Sequence, residues 1–127
     1  MKKYYVKVDD DGSVRWYKDA ACQVLHREDG PAVTRPDGAQ IWFKNDLRHR
    51  VDGPAVILAN GLKSWWINGK RHREDGPAVI RPSGIKEWWL HDEEVTEEEF
   101  LKRTRPVEEL TVAQIEQLLG KRVKIVK

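Results

Sequence analysis

His26, Arg27 and Asp29 stand in the stretch HREDGPAV. It returns unchanged at His72, Arg73 and Asp75, and as HRVDGPAV at His49, Arg50 and Asp52. An imidazole, a guanidinium and a carboxylate this close together are the parts of an acid–base site or, taken three at a time, of a metal centre. The constant step of 23 residues argues against a shared ion. In a sheet of two-stranded units, equivalent positions lie two strand spacings apart, about 9–10 Å. Zinc ligands each sit about 2.0–2.1 Å from the metal and so lie close to one another. The three histidines are therefore expected to serve separate units, and His91 would join them only where the chain bends sharply. No metal ligand and no cofactor is assigned.

Nucleophilic catalysis finds no better footing. Cys22 and His26 are four apart, but an activated thiolate also needs a base in reach and an oxyanion site. Ser13, Ser64 and Ser83 are the only serines, two of them in turn-like contexts, and no glycine-rich phosphate loop is present. No catalytic residue is assigned, and the chain is read as non-enzymatic. A structural role suits the triplet better. Asp29, Asp52 and Asp75 precede Gly-Pro, where an aspartate can bond backbone amides and fix a turn. Arg27, Arg50 and Arg73 are in reach of those carboxylates or of a neighbouring repeat's. His26, His49 and His72 can bridge neighbouring strands, one ring nitrogen donating and the other accepting.

The same step of 23 recurs in Gly38, Gly61 and Gly84 and in Trp42, Trp65 and Trp88. Gly12 and Trp16 repeat the glycine–tryptophan offset, so residues 11–18 read as a degenerate first half-repeat with a three-residue insertion near DAACQ. Each unit carries strand signals: a β-prone run such as LKSWWING closed by Asn68-Gly69, a returning strand, then a turn at Ser83-Gly84. The fold class expected is mainly β, an antiparallel meander of about three 23-residue hairpin repeats over residues 1–92. Two short helices and a terminal strand follow over 93–127. Alternation sets Trp65 against Trp66 and Trp88 against Trp89, so both faces carry large apolar groups and the tail is the natural cover of one. Six tryptophans make a packed core plausible at 39% hydrophobic content, because each buried aromatic removes about 150–250 Å² from water, worth about 4–6 kcal/mol.

Trp66, Asn68, Gly69, Lys70 and His72, in WINGKRHREDG, resemble the MORN repeat, a two-stranded hairpin of this length with an aromatic, an Asn-Gly turn and a following histidine. The HRxDGPA and NGKxHR patterns are similar to MORN-like repeats of small phage and bacterial cytosolic proteins. The resemblance covers about residues 11–92. It implies a β-meander and an interaction scaffold with no catalytic residue to transfer. Arg73 and Asp75 depart from the glycines that the MORN pattern carries after its histidine, so no lipid-binding role is carried over.

In the tail, Thr96 with Glu99 forms a capping box, and Val95 with Phe100 a hydrophobic staple. Thr111 with Gln114, and Leu110 with Ile115, repeat the design before an apolar stripe at Ile115, Leu118 and Leu119. Pro106 and Gly120 are the expected stops, and RVKIVK reads as a strand. LTVAQIEQLLG resembles the opening helix of a helix-turn-helix unit, but the expected strand leaves no recognition helix after it. Residues 92–116 carry nine acids and three bases, whereas the body interleaves both signs, a poor polyanion-binding signature. One cysteine, no signal-like leader and no long apolar run make the expected compartment cytoplasmic.

The expected function is a non-enzymatic protein–protein interaction module, a phage- or prophage-type accessory protein that binds and modulates a host protein. Its candidate contact residues are Trp42, Trp65 and Trp88 or the alternate set Phe43, Trp66 and Trp89, with Arg48 and Arg71 as cationic anchors. The rival reading is single-stranded nucleic-acid binding through tryptophan platforms, with Arg48, Lys70, Arg71 and Arg81 on phosphates. A homodimer through an edge strand is a further partner expectation, and no membrane partner is expected.

Overall fold

The computed structural model describes residues 3–105 and 111–119. Thirteen short strands and two helices follow in chain order. They are β1 (Tyr5–Val8), β2 (Val14–Tyr17), β3 (Val33–Thr34), β4 (Gln40–Ile41), β5 (Phe43–Lys44), β6 (Leu47–Arg48) and β7 (Val56–Ile57). Then come β8 (Lys63–Ser64), β9 (Trp66–Ile67), β10 (Lys70–Arg71), β11 (Val79–Ile80), β12 (Lys86–Leu90), β13 (Glu93–Val95), α1 (Glu97–Thr104) and α2 (Val112–Leu119). Nine strands form one antiparallel sheet in the order β1-β2-β3-β4-β7-β8-β11-β12-β13, while β5-β6 and β9-β10 are separate hairpins. The expected mainly β meander with two C-terminal helices is what the chain adopts.

Two kinds of turn build this arrangement. The long sheet turns at Gly12, Gly38, Gly61 and Gly84, with φ between +91° and +95°. Each glycine amide donates three residues back, to Asp9, Arg35, Leu58 and Arg81. A left-handed residue ending a three-residue loop is the glycine niche of such hairpins. Asp11, Asp37 and Asn60 brace the first three turns by accepting the amide two residues on, at 2.8–3.0 Å. The small hairpins turn at Asn45-Asp46 and Asn68-Gly69, and β12-β13 turns at His91-Asp92. Both residues of each pair have positive φ, the type I′ geometry that Asn-Gly favours.

The alternation that sets Trp65 against Trp66 implies an unbroken strand in each repeat, and the structure breaks it at Trp42 and at Trp65. Trp42 donates its amide to Ala55 O (2.7 Å) in the long sheet, while its carbonyl accepts from His49 N (3.1 Å) in the small hairpin. Trp65 does the same with Ala78 O and His72 N, at 2.8 and 3.1 Å. At each such tryptophan the two ladders part, and the chain passes from one layer to the other.

That parting also changes how the apolar faces are covered. Val33, Ile41, Val56, Ser64 and Val79 form the inward row of the long sheet, all under 9% exposed. Leu25, Phe43 and Trp66 of the hairpin series pack on that row, so the repeat covers its own face. Among the described residues the tail covers the last repeat, where α1 seats Phe100, 4% exposed, against Trp88, with ring centroids 6.5 Å apart. Thr96 caps α1 by accepting Glu99 N at 3.1 Å. Before α2 the reciprocal box forms, Thr111 N to Gln114 Oε1 (2.8 Å) and Gln114 N to Thr111 Oγ1 (3.2 Å). Pro106, Leu110, Gly120 and the terminal strand lie outside the described residues, as do the Leu118 and Leu119 side chains.

Candidate functional site

The HRxDGP loops resolve into one repeated construction. Arg27, Arg50 and Arg73 lay their guanidinium carbons 3.8, 3.9 and 3.9 Å from the ring centroids of Trp16, Trp42 and Trp65. Each Nε donates to Asp29, Asp52 or Asp75 Oδ1, at 3.0, 3.1 and 2.9 Å. Each Nη1 donates to the carbonyl of Pro31, Pro54 or Pro77, at 3.2, 3.1 and 3.0 Å. The arginine side chains are only 21–23% exposed, whereas the carboxylates are 64–87% exposed. Asp29, Asp52 and Asp75 thus receive the guanidinium of their own loop, one of the pairings that the Arg-x-Asp spacing put in reach. A cation desolvated on an indole is worth about 0.5–2 kcal/mol, so each loop is fastened by its arginine.

The histidines bridge repeats. Nδ1 of His26, His49 and His72 accepts the amide of Asn45, Asn68 and His91, at 2.9, 3.0 and 3.0 Å. An accepting Nδ1 requires the neutral ring with its proton on Nε2. Desolvation by burial, with the Lys44 charge added, holds His49 below the ordinary imidazole range. The chain does bend sharply at His91, the turn residue above His72, and the two rings lie 4.2 Å apart. Among the described residues no group of three His, Cys, Asp or Glu side chains is disposed to hold a metal.

A second ladder crosses the hairpin layer. Arg71 sits 3.8 Å from the Trp89 ring centroid and 5.4 Å from that of Trp66. Arg48 lies 5.2 Å from Trp66 and 5.8 Å from Phe43. Trp66 Nε1 donates to Ser64 Oγ (2.8 Å) and Trp89 Nε1 to Glu87 Oε1 (3.1 Å), fixing both indoles. Burial opposes ionisation of Glu87, but hydrogen bonds from Arg81 and Trp89 outweigh it and hold the carboxyl below its ordinary range. Asp92 Oδ1 accepts the Arg71 amide at 3.3 Å and lies 3.5 Å from Arg71 Nε, a buried nitrogen whose N–H is not aligned into a hydrogen bond.

The candidate contact residues therefore fall into two groups. Trp42 and Trp65 have a face taken by Arg50 and Arg73, and Trp88 packs with Phe100. Phe43, Arg48, Trp66, Arg71 and Trp89 come together, with Arg48 exposed. Between successive HRxDGP loops lie two equivalent open grooves of about 740 and 700 Å³, bordered by Arg27, Trp42 and Arg50 and, one repeat on, by Arg50, Trp65 and Arg73. Sequence reasoning set Trp16 in a degenerate half-repeat without giving it a partner, and it missed Tyr4. Tyr4 meets the Trp16 ring edge-on at 5.6 Å, and its hydroxyl accepts Glu28 N at 3.2 Å, closing the first unit. The constant eight-residue offset of Trp42–Arg50 and Trp65–Arg73 was the signal available for the stacked pairs. No family model matches the chain, and no curated protein or solved structure matches it significantly.

Proposed function

We propose that the chain is a non-enzymatic protein-interaction module whose contact surface is the ladder of Phe43, Arg48, Trp66, Arg71 and Trp89. The observation that carries this reading is the ladder itself: arginines set among half-buried aromatics, with Arg48 open to solvent. Arginine and tryptophan dominate the energetics of protein interfaces because each presents a large, stiff contact area together with a polar handle. The MORN-like character of the repeat belongs to the same proposal, as does an accessory role of phage or prophage type directed at a bacterial host protein. The interleaved acids of residues 1–91 disfavour the rival reading, since a phosphate backbone is held by a continuous basic stripe.

Bacterial lysate passed over the immobilised full chain, followed by mass spectrometry, tests the proposal. A partner retained by the wild type and by Lys63→Ala, on the long sheet, should be lost by the Arg48→Ala/Arg71→Ala double variant. A partner indifferent to that double variant would overturn the assignment of the surface. Steeply salt-dependent uptake of oligonucleotides in place of protein would overturn the function.

A further inference from the structure

The repeat supplies its own template for what Arg48 binds. Positions 46, 69 and 92 are the second residues of the three type I′ turns, and each turn lies over the preceding unit. Backbone amides of Asp46, Gly69 and Asp92 donate to the carbonyls of Leu25, Arg48 and Arg71, at 2.8, 2.9 and 2.9 Å. In the first and third steps the turn returns a carboxylate. Asp46 Oδ1 accepts the Leu25 amide at 3.2 Å, and Asp92 Oδ1 accepts the Arg71 amide at 3.3 Å while pairing with the Arg71 guanidinium. The middle step has an arginine below but a glycine above. Among the described residues no carboxylate pairs with Arg48. Its guanidinium also stands at least 5.2 Å from either neighbouring ring, whereas that of Arg71 is seated 3.8 Å from Trp89.

We infer that Arg48 is a carboxylate subsite, which takes an aspartate or glutamate side chain of a partner protein into the place that Asp92 occupies over Arg71. The inference rests on the interaction reading above and names the partner's chemistry. A carboxylate there would accept from the Arg48 guanidinium and from the Arg48 amide, a charge-assisted arrangement stronger than neutral hydrogen bonds. Lys44 and Lys70, both exposed, add positive charge to the two small hairpins that carry Arg48 and the glycine turn, which favours an acidic segment. A phosphate is the weaker candidate, because the template the fold provides is a carboxylate held close to main chain.

The test uses the full chain and a short capped peptide of alternating aspartate and glycine, followed by amide and side-chain NMR. Saturable shifts are expected at the Arg48 amide, the Arg48 Nε and the Trp66 indole, with those of Arg71 unmoved. Gly69→Asp should supply the carboxylate internally and weaken the peptide about tenfold, the scale of losing a hydrogen-bonded ionic contact. Asp46 and Asp92 adopt φ of 69° and 67° at the equivalent positions, so the turn accepts an aspartate once the exposed Leu47 side chain yields to a Cβ that would stand 3.1 Å from its Cδ2. Arg48→Gln should weaken the peptide comparably without touching the turn, and Asp92→Gly should add a second binding event at Arg71. A peptide that fails to bind, shifts that avoid Arg48, or affinity indifferent to both Gly69→Asp and Arg48→Gln would overturn the inference. So would preference of the same position for a single-stranded oligonucleotide. A captured partner lost by Arg48→Ala/Arg71→Ala yet kept by Gly69→Asp would leave the interaction module standing and remove only the carboxylate subsite.

Discussion

Gly30, Gly53 and Gly76 owe their identity to a side chain. None has the positive φ that marks the turn glycines. A Cβ there would come within 2.8, 2.9 and 2.7 Å of the guanidinium carbon of Arg27, Arg50 and Arg73. The Arg-x-Asp-Gly spacing is thus a single device: the arginine folds back over the glycine, meets the aspartate at its Nε and keeps its flat face for the tryptophan. Gly53→Ala should cost about 1–3 kcal/mol, the usual range for overpacking, and should do so through Arg50 alone. Urea denaturation of Gly53→Ala, Arg50→Ala and the double variant checks this. The glycine substitution is expected to cost less than half as much once Arg50 is shortened, and additive costs would show that the two residues act independently.

Among the elements, α1 does the work of the repeat that does not follow. Arg27, Arg50 and Arg73 each cover the tryptophan of a preceding unit. Position 96, one step after Arg73, is the N-cap Thr96, and Trp88 receives Phe100 instead. Phe100→Ala should cost about 3 kcal/mol, the loss typical of a buried aromatic. Hydrogen exchange should place that loss at β12 and β13, with β3, β4 and β7 unaffected; uniform loss across the sheet would mean that the helix stabilises more than an end. The hairpin turns were legible in the sequence because their chemistry is local. Asn68-Gly69 and Ser83-Gly84 need only the backbone freedom of their own residues, and the Thr96 N-cap and the Thr111–Gln114 box are equally short-range. The breaks at Trp42 and Trp65 were not legible, because they depend on which of two neighbours takes each backbone group. The arginine–tryptophan pairs escaped for a related reason. The eight-residue offset crosses a hairpin turn, so the pairing depends on how two segments come together and not on a local period, and the insertion before Gln23 stretches the first pair to eleven.

At the scale of the whole molecule, the chain is close to a one-dimensional stack. Each unit pairs with its sequence neighbours through the same contacts: tryptophan amide to alanine carbonyl, histidine Nδ1 to turn amide, arginine to indole. Stability in such arrays is a sum of unit and nearest-neighbour terms, so a whole period should be removable. Deleting residues 46–68 joins Asn45 to Gly69, creating an Asn-Gly turn, and keeps the eight-residue offset by setting Arg73 against Trp42. The shortened chain should fold cooperatively with a lower thermal midpoint. Its denaturant m-value should fall by about a fifth, because m follows the surface exposed on unfolding. Near-ultraviolet circular dichroism and urea titration check both expectations. A deletion of 40–62 tests the same point through a different junction, since it joins Ala39 to Lys63 and retains the three-residue turn of the long sheet. Folding of both would establish the 23-residue period as the unit of stability. Failure of both would mean that the units cooperate beyond nearest neighbours, so that the N-terminal closure at Tyr4 and the C-terminal closure at Phe100 act on the stack as a whole.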